Sequence, residues 1–174
     1  MALLVLGIGA LIVGFGLLLL ISLTSPRQRP SGAAAADQAS PAGFVATLAP
    51  AELGRLLTAL LTELGFEAED VRVAKNVIDI LAVNRAPITG GRLYVRGVAS
   101  GPEGVVGEPE VQSALETARS ESAGKAIIAT SGRFSAEARA AAAGAPLELV
   151  DGPALLALVK EHLPAMAAAG RVLN

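Results

Sequence analysis

Apolar and polar positions follow three regimes along the chain. From Ala2 to Leu23 the sequence "ALLVLGIGALIVGFGLLLLISL" is apolar and carries no charge. A helix needs ~20 apolar residues to cross a bilayer, and within lipid it satisfies its own interior backbone groups. A transmembrane helix is therefore predicted over residues 2–23. The rival is a cleaved signal peptide, which calls for a charged start and an apolar core of about 7–15 residues. Here only the terminal amine precedes the run, and "GAAAAD" (Gly32–Asp37), a candidate cleavage site, lies well downstream. Residues 24–47 then show no apolar period. The stretch "SPRQRPSGAAAADQASPAG" within them has three prolines and reads as a flexible linker.

From residue 48 the pattern switches at short intervals. In "APAELGRLLTALLTELG" the leucines recur at helical spacing, and Gly65 suits the C-cap. "FEAEDVRVA", "NVIDILAV" and "RLYVRGVA" read as three strands, with "NRAPITGG" a turn by its Asn, Pro and Gly content. "EPEVQSALETARSES" reads as a helix with an acidic start, which suits the helix dipole. "KAIIATS" is a short apolar run of the kind buried in a sheet. "FSAEARAAAAG" is a helix capped by Ser135 and stopped by Gly144. "PLELV" is a strand, and "DGPALLALVKEHL" a last helix with Asp151 near its start and Pro153 in its first turn. The order is α-β-β-β-α-β-α-β-α. The predicted fold is α/β, a mixed sheet flanked by helices, over residues 48–163. Residues 164–174 are left as a tail.

Composition narrows the chemistry. The 174 residues include no cysteine and one histidine, His162. Disulfides, thiolate nucleophiles and Cys-based zinc sites are excluded. A histidine-based site would rest on His162 alone, which reads as an exposed residue at a helix end. From Phe44 onward there are 12 Lys and Arg against 15 Asp and Glu, a net charge of −3. Proteins that neutralise DNA phosphates carry a basic face, so this balance tilts toward a protein partner. Arg27 and Arg29 follow the apolar run and no charged side chain precedes it. By the positive-inside tendency the C-terminal domain is predicted to be cytoplasmic. Gly7, Ala10 and Gly14, and Gly9 and Gly16, have the small-residue spacing that lets membrane helices approach, which makes self-association through them a weak expectation.

The strings "ELGFE", "IDILAVN", "GGR", "AIIATSGRFSAEA" and "LELVDGPALLALVKEH", in this order and spacing, resemble the Mrr-type restriction endonuclease domain, a branch of the PD-(D/E)xK nuclease superfamily. The resemblance runs from about Leu48 to Leu163. It implies a restriction-endonuclease-like fold and Mg²⁺-dependent cleavage of DNA, in which carboxylates hold the metal and a lysine supports the developing charge. Asp79 matches the family's metal-binding aspartate. Arg96 stands where the family has Gln or Glu, and Val98 where it has lysine. The first-helix glutamate falls near Gly54, with Glu52 and Arg55 beside it. The turn before Asp79, Ala74-Lys75-Asn76-Val77, lacks the family's glycines.

The expectation drawn from this departure is a nuclease fold that has lost catalysis and needs no cofactor. Arg96 has two readings. It pairs with Asp79 across neighbouring strands, or it lies at a strand end and extends to water. Three functions follow: a membrane-tethered, inactive binding protein acting on DNA or a protein; an active Mg²⁺-dependent endonuclease with a displaced site, Lys75 serving as its cation; or an envelope assembly module with no nucleic-acid role.

Overall fold

Helix α1 (Pro50–Glu63) opens the fold on the predicted leucines. Leu53, Leu56, Leu57, Leu60 and Leu61 are all buried. Pro50 occupies its first turn, and the Glu52 carboxylate accepts a hydrogen bond from Ala49 N–H at 2.9 Å. The helix stops as the sequence predicts. Gly65 adopts a left-handed φ of 81°, Gly65 N–H donates to Thr62 O, and Phe66 N–H donates to Leu61 O. This pair of bonds satisfies carbonyls that the last turn would leave open. In this computed structural model, residues 45–87 and 90–170 are described. They fall within one compact unit. The predicted membrane helix (2–23) and nearly all of the predicted linker (24–47) lie outside the described residues. Among those described, no helix is long and apolar enough to cross a membrane.

Strands β1 (Glu67–Ala74), β2 (Val77–Asn84) and β3 (Gly91–Val98) form an antiparallel meander. After β3 come a two-residue strand β4 (Val105–Val106) and helix α2 (Glu108–Ser120). Strand β5 (Lys125–Thr130) then pairs parallel to β3. Next are a second two-residue strand, β6 (Arg133–Phe134), which pairs with β4, and helix α3 (Ala136–Ala142). Strand β7 (Leu147–Val150) pairs parallel to β5, and α4 (Gly152–His162) follows. The main sheet has the order β1-β2-β3-β5-β7. The mixed sheet arises because short turns join the first three strands, whereas helical crossovers place the later ones parallel.

Three features depart from the sequence reading. The β4–β6 pair is too short to leave a periodic signal. The stretch read as a tail contains a further helix, α5 (Pro164–Ala169), whose Ala167 is buried in the core. Val45, at the end of the predicted linker, is buried there too.

Two apolar clusters pack against the two faces of the sheet. One joins α1, α4 and α5 to Ile78, Ile80, Leu93 and Val95. The other joins α2 and α3 to Tyr94, Val98, Ala126 and Ile128. Strand alternation makes this division. Two glycines bring α1 close to the sheet. A Cβ at Gly97 would lie 2.7 Å from Leu57 Cδ1, and one at Gly54 would lie 3.3 Å from Ile78 Cγ2. Gly97 is thus the residue over which α1 crosses β3.

Candidate functional site

The site forms where β2, β3 and α2 meet. Antiparallel register sets Asp79 directly opposite Arg96, and Leu81 opposite Tyr94. Directly opposed residues share a face, and so do residues two apart on a strand. Asp79, Tyr94 and Arg96 therefore project together toward α2.

The contacts are close and directional. Arg96 Nε donates to Asp79 Oδ1 at 2.8 Å, and Arg96 Nη2 donates to Asp79 Oδ2 at 3.3 Å. The two bonds make a forked pair, the geometry that suits guanidinium and carboxylate best. The Tyr94 hydroxyl donates a short hydrogen bond to Asp79 Oδ1. From α2, Ser113 Oγ accepts from Arg96 Nη1 at 2.8 Å. The Glu110 carboxylate lies 3.8 Å from the same nitrogen. Ser113 and Glu110 are three residues apart and so share one helix face. The guanidinium carbon sits 5.7 Å from the Tyr94 ring centroid. Arg96 thus ties β2, β3 and α2 together through one planar group.

Burial sets the electrostatics. The Arg96 side chain is 8% exposed and that of Asp79 28%. The reading in which Arg96 extends to water is therefore overturned: its strand is central, and its head group turns to Asp79. Burial works against the Arg96 charge, but the hydrogen bonds it donates to Asp79 and the negative charge around it outweigh that and hold the guanidinium above its ordinary pKa. Tyr94 is pushed well above the ordinary phenol value. Burial is the largest cause, the bond to Asp79 the second, and the Arg96 charge acts in opposition. Tyr94 therefore stays a neutral donor.

The other predicted positions scatter. Val98 is buried in the apolar cluster with Val111, Ile128 and Phe134. Gly54 faces Ile78 from α1, while Asp79 alternates to the opposite face of β2. A side chain at position 54 would meet Ile78 rather than the Asp79 carboxylate. Glu52 is engaged with the start of its own helix. Lys75 is exposed in the β1–β2 turn with a φ of 55°. His162 is half-buried in the last turn of α4. Asp70 and Glu121 line a small cleft beside Asp79 and Tyr94, but Arg72 pairs with both carboxylates. Among the described residues, no three His, Asp or Glu side chains gather as a metal site would require.

Sequence reasoning gave Tyr94 no role beyond its place in the third strand. Ser113 and Glu110 were missed. Their helical spacing was visible, but the rotation of α2 over the sheet is fixed only by packing.

Comparison with known proteins follows the fold. The chain is similar to the DNA modification-dependent restriction endonuclease AspBHI, with a TM-score of 0.57 and 13% identity, over 83% of this chain and 43% of that one. It is similar also to the restriction endonuclease MspJI, solved in complex with a 27-mer oligonucleotide, with a TM-score of 0.47 and 17% identity, over 84% of this chain and 39% of that one. The chain spans less than half the length of either enzyme. A search of curated protein sequences returned no match. The sequence profile of the Mrr catalytic type, described as restriction endonuclease, matches residues 45–159. That match takes in every strand of the main sheet and the whole site around Asp79, and the chain belongs to the Mrr-type restriction endonuclease family.

Proposed function

We propose that this chain is a membrane-tethered binding protein on the restriction endonuclease fold, one that holds DNA without cutting it. A single observation carries the reading: both Asp79 oxygens are engaged by the Arg96 fork. Mg²⁺ favours near-octahedral oxygen ligation from carboxylates, phosphates and water. Asp79 offers one carboxylate, and that carboxylate already holds a buried cation. A second cation there would meet Arg96 at contact distance, and removing Arg96 from its partner would strand a buried charge. The donor set does not fit Mg²⁺. Val98, at the family's lysine position, brings no charge to a developing phosphorane.

Residues 2–23 supply the tether, and Arg27 and Arg29 favour a cytoplasmic domain. Family membership puts DNA first among ligands. The acidic balance of the domain favours a second reading, in which the ligand is a protein and the module serves envelope assembly.

The test uses the full chain in detergent, supercoiled plasmid, and Mg²⁺ or Mn²⁺. The expected result is no nicking, together with DNA retention that weakens steeply as salt rises. Metal-dependent cleavage abolished by Asp79→Ala would establish the active-nuclease alternative and remove this reading. Absence of DNA retention at low salt would leave the protein-binding reading.

A further inference from the structure

Strand β1 forms one edge of the main sheet, and among the described residues no strand lies beside its outer rim of N–H and C=O groups. Every residue of β1 is exposed or half-exposed. Val71 and Val73 are 46% and 53% exposed, two of the four large apolar side chains so exposed among the described residues. They line an apolar groove with Ala51, Thr58 and Ala59 of α1 and Met166 of α5. Soluble folds blunt such edges with bulges, prolines or charges. Here the bulge falls between Ala68 and Asp70, with Glu67 and Glu69 around it. The half from Asp70 to Ala74 pairs regularly with β2, has neither bulge nor proline, and carries two charges of opposite sign, Asp70 and Arg72, which do not repel a second copy of themselves.

We propose that this half-strand is the docking edge for a second copy of the same chain, joined antiparallel about a two-fold axis at Val71. The charge pattern of "EAEDVRVA" selects that occupant and that register. With the axis at Val71, Asp70 of each copy lies opposite Arg72 of the other, and Val71 lies opposite Val71. Moving the axis to Asp70 sets aspartate against aspartate, and moving it to Arg72 sets arginine against arginine. Opposite charges directly across a ladder stabilise it and like charges oppose it. Asp70 and Arg72 already pair within one chain, so the joint converts two internal pairs into a four-charge network. An antiparallel joint has its two-fold perpendicular to the sheet. Both α1 helices therefore come to the same face, and their small Ala51, Thr58 and Ala59 side chains permit close approach. The two apolar grooves meet over Val71 and Val73 and cover them. The resulting sheet has ten strands and is independent of whether the domain cuts or merely binds.

The test uses the full chain in detergent and single cysteines, since the chain has none of its own. Opposed antiparallel residues have Cα atoms ~4.5–5.5 Å apart, within the reach of a disulfide. Val71→Cys should form a covalent dimer on mild oxidation, at least tenfold faster than Val105→Cys, which is the more exposed of the two, on β4. Sedimentation then separates this joint from association through the apolar N-terminal segment. Asp70→Arg and Arg72→Asp should each weaken the dimer at least tenfold, and the double exchange Asp70→Arg/Arg72→Asp should restore it. Far-UV circular dichroism confirms that each variant is folded. Equal cross-linking at positions 71 and 105, or a dimer unmoved by either single reversal, overturns the proposal.

Discussion

Removing the Asp79 carboxylate is the sharpest perturbation of the site. In Asp79→Ala the Arg96 guanidinium loses both arms of its fork. It keeps Ser113 Oγ at 2.8 Å and a looser approach to Glu110 at 3.8 Å. The side chain is too buried to regain a full hydration shell. Breaking a buried ion pair from one side costs about 3–5 kcal/mol. Asp79 itself is 28% exposed, so water enters the vacated space and the lower end applies, about 3 kcal/mol. For a domain of this size that lowers the melting temperature by roughly 10 °C. Arg96→Met costs less, about 1–2 kcal/mol, because the stranded group is then a carboxylate with water access and a tyrosine donor. The double variant removes both charges and fills the space with apolar atoms, and should lie within about 1 kcal/mol of the parent. Chemical unfolding followed by circular dichroism measures all four corners of the cycle. The diagnostic quantity is the coupling energy, expected at about 2 kcal/mol or more. Single costs that simply add in the double variant would show that the pair contributes nothing as a pair.

Two further outcomes follow from the same geometry. Tyr94 is the only tyrosine and the chain has no tryptophan, so phenolate absorbance near 295 nm reports on this one group. Its folded pKa is raised above the ordinary value of 10.0, so the fold favours the neutral phenol. That contribution is complete below the unfolded value and is lost as pH climbs through the folded one. The native protein should show no phenolate at pH 10–10.5, whereas the urea-unfolded chain titrates near 10; superimposable titrations would contradict the buried donor. At Gly97, alanine places a methyl 2.7 Å from Leu57 Cδ1 and should cost about 1–3 kcal/mol by overpacking, with part of the loss recovered in the Gly97→Ala/Leu57→Ala double variant.

Local signals account for most of what the sequence disclosed of the fold. The Ser135 and Asp151 side chains accept from Ala138 N–H and Ala154 N–H at 3.0 and 3.1 Å, within four residues of chain. Gly65 and Gly144 take the left-handed φ that ends their helices. Such features are written where they act. The β4–β6 pair was invisible because two residues cannot show a period, and α5 because a short alanine-rich run after a proline carries no apolar stripe. The need for glycine at position 97 appears only once α1 lies across β3. Within the site, the family's positions put Asp79 and Arg96 on neighbouring strands but left two readings of Arg96 open; the β2–β3 register decides between them. Ser113 was not, because it reaches Arg96 through a crossover whose docking no local pattern encodes.

Arg96 gives the Asp79 carboxylate a counter-charge that belongs to the same covalent chain. A cation drawn from solution stabilises a protein by mass action, more at high concentration and not at all when chelated. A guanidinium two strand positions from the nearest tyrosine is subject to no such dependence, since its local concentration is set by backbone geometry. The neutralisation of Asp79 is thereby a fixed property of the folded state, indifferent to the ionic composition of the compartment in which the chain resides.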